Sequence, residues 1–252
     1  MISGKVFQTD DVGLSKAQIM VFDNCVLKIE PYQKKNVETV RVMRWLENKL
    51  PVPKVLSYEY DAEREYLLMS RMPGKMACDA YYLERPQELA ERLAEAIQML
   101  WNVDVSDCPR IRDLDAELKE ARSRVENRLV DMDHVEPTTF GACGFKDPEH
   151  LLDWLEHNRP NYEPALSHGD LCLPNIFIDH GRIRGLIDLG DTGIGDKWRD
   201  IALCCRSLKR NAEGAYGGKV YPDIRAQALF DALGIAPDFE KIRYYLLLDE
   251  LF

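Results

Sequence analysis

An α+β chain of two lobes is the fold the sequence predicts: a small N-terminal antiparallel sheet lobe with one main helix, then a larger, mainly α-helical lobe. Three observations predict it. Over roughly the first 60 residues short β-like runs alternate with turn signals. Arg71-Met-Pro-Gly74 then interrupts the pattern with a Pro-Gly joint. Beyond that joint the apolar residues recur at helical spacing. The lobes are therefore assigned to residues 1–70 and 76–252, with 71–75 as the hinge between them.

The elements follow in order. Gln18-Ile-Met-Val-Phe22 and Cys25-Val-Leu-Lys-Ile29 flank Asp23-Asn24, the arrangement of a hairpin. Asn36 is placed to cap a helix carrying Val37, Val40, Met43 and Leu46, which must end before Pro51-Val-Pro53. Strands are expected at Lys54 to Tyr58 and Glu65 to Met69, with the polar Tyr60-Asp-Ala-Glu-Arg64 turning between them. A helix starting near Pro86 carries the stripe Leu89, Leu93, Ala96, Ile97, Leu100 and Trp101. Residues 111–135 read as a charge-rich, partly exposed helix on Leu114, Leu118 and Val125. Pro137 to Pro148 reads as a loop, Pro148 to His157 as another helix, and Phe239 to Asp249 as a last helix.

With 46% hydrophobic and 30% charged residues, the composition is that of a soluble globular protein. No apolar run approaches the ~20 residues of a membrane helix, and the N-terminus lacks a secretory pattern, so a cytoplasmic protein is expected. Seven scattered cysteines without a C-x-x-C pair read as reduced thiols. A net charge of -10 opposes nucleic-acid binding and is compatible with a cationic small-molecule partner. Neither a membrane nor a nucleic acid is expected as a partner, and the chain is expected to be a monomer or weak dimer.

Chemistry concentrates in Ser167-His-Gly-Asp-Leu-Cys-Leu-Pro-Asn175, a strand, the turn Asp179-His-Gly-Arg182, a second strand and Asp188-Leu-Gly190. A hairpin there brings Asn175 beside Asp188, where both converge with Asp170. This spacing matches the protein-kinase pattern H-R-D-x-x-x-x-N followed by D-F-G. It predicts Asp170 as the group that orients an attacking hydroxyl and accepts its proton, with Asn175 and Asp188 as magnesium ligands. Lys28, within the strand Val26-Leu-Lys-Ile29, is expected to contact nucleotide phosphates, with Glu38 as its ion-pair partner. Ser15, in Gly13-Leu-Ser-Lys16, is a candidate phosphate ligand. Backbone groups near Ser70 and Met72 are candidates for a purine edge.

These segments, together with Trp45-Leu-Glu-Asn-Lys-Leu-Pro-Val-Pro-Lys-Val55, Asp104-Val-Ser-Asp-Cys-Pro109, Asp196-Lys-Trp198 and Tyr244 to Phe252, resemble the aminoglycoside 3′-phosphotransferases. These are resistance enzymes of protein-kinase-like fold. The resemblance implies ATP or GTP as co-substrate, Mg2+, and phosphorylation of the 3′-hydroxyl of an aminoglycoside. It also implies that Asp249, Glu250 and the carboxylate of Phe252 bind substrate ammonium groups, with Glu136 a further acidic candidate on the mid-chain loop. The chain departs from the family in four places. Thr39 rather than Glu38 aligns with the partner of the lysine, basic residues fill Ser207-Leu-Lys-Arg-Asn211, the loop from Glu136 has few acids, and Asp191 stands where arginine is usual. A kinase of the same fold acting on another hydroxylated metabolite or antibiotic remains the alternative.

Overall fold

The computed structural model describes residues 8–9, 17–142 and 144–252; Ser15 lies outside them. The antiparallel strands β1 (Gln8–Thr9), β2 (Gln18–Val21), β3 (Cys25–Pro31), β4 (Val55–Tyr60) and β5 (Arg64–Ser70) form one sheet in the order β1-β2-β3-β5-β4. Its register pairs Lys28 with Leu67 and Glu30 with Glu65, so Lys28 and Glu30 share a face with Val26 and Met69. Helix α1 (Lys34–Leu46) covers that sheet. It starts two residues before Asn36, whose side chain hydrogen-bonds Glu65 instead of capping the helix. Glu65 is almost completely buried, and also accepts from the Tyr58 hydroxyl at 3.1 Å, which supplies the partner a buried carboxylate requires.

The remaining chain is mostly helical. It contains β6 (Lys75–Met76), α2 (Ala80–Leu83), α3 (Pro86–Trp101), α4 (Leu114–Glu126), α5 (Pro148–His157), β7 (Pro164–Ser167), β8 (Ile176–Asp179), β9 (Arg182–Leu186), β10 (Gly193–Asp196), α6 (Lys197–Ala212), α7 (Ala226–Leu233) and α8 (Phe239–Asp249). The expected helix over 111–135 is confined to α4, because Asp113 caps it by accepting from Ala116 and Asn127 ends it. The core sits around α3, whose Leu89, Leu93, Ile97 and Leu100 are fully buried. Each such side chain contributes roughly 1.5–3 kcal/mol. Near the end of α1, Trp45 and Lys49 both reach Asp107, at 2.9 and 3.0 Å, and so tie the helix to the segment between α3 and α4. Among the described residues no helix is long and apolar enough to cross a membrane.

Candidate active site

Three local features build the site. The first is the β8–β9 hairpin, turned by His180 and Gly181 at φ 48° and 67°, the consecutive left-handed pair of a tight hairpin turn. Its open end aligns Ile176 with Leu186, and Ile187 N–H donates to Asn175 O at 3.0 Å. This places Asn175, at the end of the 3-10 turn Leu173–Asn175, beside Asp188, which itself adopts φ 60°.

The second is the loop from β7 to Asp170. Asp196 caps α6 by accepting from Trp198 N–H, and one turn later Asp200 is fully buried with its carboxylate directed back at the loop. Asp200 accepts from Ser167 Oγ at 3.1 Å, His168 N–H at 2.8 Å and Gly169 N–H at 3.0 Å. Gly169, at φ 87°, passes so close to Asp191 that a Cβ would lie 2.6 Å from the Asp191 carbonyl oxygen. His168 accepts from Asp170 N–H through Nδ1 at 3.3 Å, which leaves Nε2 to donate to Ile187 O at 2.9 Å. The imidazole thus spans the loop and the strand before Asp188.

The third is the convergence of these pieces. Asn175 Nδ2 donates to the Asp170 carbonyl at 2.9 Å and to its carboxylate at 3.1 Å. Burial holds Asp170 above the ordinary carboxylate range, and the charges of Asp188 and Asp249 add to it. A cavity of about 330 Å³ between the five-stranded sheet and the β8–β9 hairpin is lined by Lys28, Ser70, Met72, Asn175 and Asp188. A second cavity, of about 410 Å³, shares Lys28 and Asp188 and extends under α1. Five of the residues singled out in the sequence therefore line one space, and Asp170 is hydrogen-bonded to one of them, Asn175.

The expected pairing of Lys28 with Glu38 is corrected. Lys28 Nζ instead bonds Glu30 Oε1 at 3.0 Å, two residues along the same strand. On α1 the cavity-facing residues are Lys35, Asn36, Thr39, Val40 and Met43, a stripe at helical spacing that leaves Glu38 on the exposed side. No motif marks Glu30; the period-two alternation that aimed Lys28 inward also applies to it.

The C-terminal acids gather beside the loop that carries Asp170, but in the company of arginines. Asp249 bonds Arg199 at 3.2 Å and also Arg206; Glu250 lies 3.7 Å from Arg206 and accepts from Glu136 N–H at 2.7 Å. Glu136 pairs with Arg210 at 2.7 Å, and Arg124 donates to the Phe252 carbonyl oxygen. Asp200 and Arg199, both on α6, went unassigned in the sequence. Their signal was the cap-and-turn pattern Asp196-Lys-Trp-Arg-Asp200, which places the second acid one turn inside the helix.

No cluster of three or more His, Cys, Asp or Glu side chains suited to a metal occurs among the described residues. Asn175 and Asp188 nonetheless fit a magnesium ion, which uses few protein ligands and completes its shell with phosphate and water oxygens. Because the Asn175 amide nitrogen is committed to Asp170, its carbonyl oxygen is the face offered to a cation.

Comparison with known proteins agrees with this geometry. Residues 23–245 match the model of the phosphotransferase enzyme family. An aminoglycoside 3′-phosphotransferase of Enterococcus faecalis is 44% identical over 84% of this chain and 76% of its own length, and one of Staphylococcus aureus is 39% identical over 96% and 92%. An aminoglycoside phosphotransferase structure from Streptomyces rimosus superposes with a TM-score of 0.82 at 25% identity, covering 97% of this chain and 92% of the other. The same enzyme has been solved in complex with ADP and streptomycin, and there the TM-score is 0.77. Sharing sequence over most of its length and fold over nearly all of it, the chain belongs to the phosphotransferase enzyme family, among the aminoglycoside 3′-phosphotransferases.

Proposed function

We propose that this enzyme transfers the γ-phosphoryl group of ATP or GTP to the 3′-hydroxyl of an aminoglycoside, and so confers resistance to that antibiotic. One observation supports the reading above the rest: Lys28, Asn175 and Asp188 line a single cavity, and Asn175 is hydrogen-bonded to Asp170. Residues 1–70 form the nucleotide lobe in this reading, 71–75 the hinge, and 76–252 the lobe that binds the acceptor. The purine edge lies against the Ser70 to Met72 backbone, where the Met72 amide makes no hydrogen bond among the described residues.

Lys28, oriented by Glu30, meets the nucleotide phosphates. Asn175 and Asp188 hold magnesium, which when bound neutralises the phosphate oxygens as charge builds. Asp170 orients the acceptor hydroxyl towards the γ-phosphorus and takes its proton on a carboxylate oxygen. Burial favours this, since a carboxylate held above its usual range is a stronger base. Asp249, Glu250, Glu136 and the Phe252 end of the chain border the acceptor's ammonium groups, and acceptor and resident arginines compete for them. The protein acts in the cytoplasm as a monomer or weak dimer, with small molecules as its partners.

That competition supports a second reading, a different hydroxylated acceptor, because Arg206 and Arg210 already occupy Asp249, Glu250 and Glu136. Nucleoside diphosphate release with kanamycin, set against a relative lacking the 3′-hydroxyl and a panel of sugars and amino alcohols, separates the two. The primary reading expects turnover with kanamycin alone; turnover on a panel member and none on kanamycin overturns it. Asp170→Ala is expected to lower kcat by roughly 10² to 10⁴ with little change in nucleotide affinity.

A further inference from the structure

Asp188 sits in the left-handed region without being glycine, a conformation that persists only where surrounding contacts impose it. On the N-terminal side Asn175 and His168 hold Ile187, and on the C-terminal side the principal contact is a guanidinium. Arg110, in the segment between α3 and α4, donates through Nη2 to Leu189 O at 2.9 Å and through Nε to Thr192 O at 2.5 Å. Its Nη1 reaches Thr39 Oγ1 at 3.3 Å, and the Thr39 hydroxyl lies 3.4 Å from Gly190 O. The turn from 189 to 192 is thereby held by Arg110 at two carbonyls, while the Thr39 hydroxyl, whose one proton is shared between Lys35 O at 3.3 Å and Gly190 O, borders a third. A planar fork of donors suits such divergent acceptors better than an ammonium would.

The segment carrying Arg110 is itself fixed. Arg112 N–H donates to Ile194 O at 2.8 Å, Ile194 N–H donates to Arg110 O at 3.0 Å, and Arg112 also approaches Asp191 at 3.4 Å. The negative charges of Asp191 and Glu38 act on Arg110, so its charge beside a cation site is partly offset.

We propose that Arg110, acting with Thr39, is a positioning residue that holds the turn bearing the magnesium ligand Asp188 and couples it to α1. Lys28 is oriented by its own strand through Glu30, so α1 is linked to this turn through Thr39, which Arg110 bridges to the turn carbonyls, and not by an ion pair with the lysine. The inference rests on the reading of Asp188 as a magnesium ligand.

Calorimetric titration of a non-hydrolysable ATP analogue, with and without magnesium, tests it on wild type, Arg110→Gln and Thr39→Val. Loss of a group that orients a metal ligand reduces metal affinity by about 10–100-fold. Arg110→Gln is therefore expected to lose most of the affinity that magnesium adds, with metal-free binding unchanged; Thr39→Val should shift the same way by less. Equal loss with and without magnesium would reveal a merely structural role, and no loss would deny any role; either overturns the proposal. Should Arg110→Gln fail to fold, Thr39→Val, which keeps side-chain shape and removes only the hydroxyl, decides alone. If magnesium adds nothing to wild-type binding, the reading of Asp188 fails first, a result distinct from a wild-type effect that both variants retain.

Discussion

Glu163 gathers three donors where β7 meets α6: Lys197, Lys241 at 2.6 Å and the Trp198 indole at 3.0 Å. Lys197 first, then Lys241, hold its carboxyl down at about 2, against an ordinary glutamate near 4.5. A carboxylate with a depressed native pKa contributes stability above its unfolded value and loses it as pH falls towards the native one. Glu163→Gln should therefore lower stability at pH 7 by about 1 kcal/mol, a modest figure because the side chain is 43% exposed. In thermal melts, the gap from wild type should narrow as pH drops from 4.5 towards 2; a gap independent of pH would assign the effect to packing. Glu163 shows how little of the polar detail was legible beforehand. Asp170, Asn175 and Asp188 could be named because their spacing encodes a local hairpin. Glu163, Glu30 and Arg110 find their partners through long-range contacts or through side chains whose choice of partner no spacing specifies.

The β8–β9 hairpin was readable because its turn chemistry and strand lengths lie within fifteen residues, and its register followed. Helix α1 was readable as a helix but not in phase: its stripe of Asn36, Thr39, Val40 and Met43 faces the cavity, and a one-residue error put Glu38 there instead. Short strands such as β6 and β10 escaped notice, since two to four residues leave no period to count and their pairing partners are distant in the chain. The loop between β7 and the 3-10 turn depends on Gly169. Gly169→Ala must place a Cβ against the Asp191 backbone at φ 87°, so it should cost at least about 1 kcal/mol and displace Asp170. Urea denaturation should record the first effect and a fall in kcat the second; retention of full activity would show that the loop tolerates the shift.

Across the molecule, Arg199 joins parts that are remote in sequence. It is buried on α6, bonds Glu117 of α4 at 2.9 Å and Asp249 of α8 at 3.2 Å, and donates to Gly169 O at 3.2 Å. Burial lifts Glu117 above the ordinary glutamate range even with Arg199 beside it. Removing one partner of a buried pair strands the other, at a cost of about 3–5 kcal/mol. Arg199→Met should accordingly lower stability by that order, measured by urea melts, and should depress kcat even at temperatures where the variant is fully folded. Additive behaviour of Arg199→Met with Glu117→Gln would contradict the coupling, since neighbours in one network are not expected to act independently.

The buried Asp200 carboxylate carries a consequence for exchange with heavy water. Connecting segments ordinarily surrender their amide protons early, through small local openings. The His168 and Gly169 amides, however, both point at a fully buried acid on α6, so neither can reach solvent until that helix leaves the core. They should rank with the α3 core amides among the last to pick up deuterium. The stretch of chain next to Asp170 would then be among the stiffest in the protein, although no helix or strand contains it.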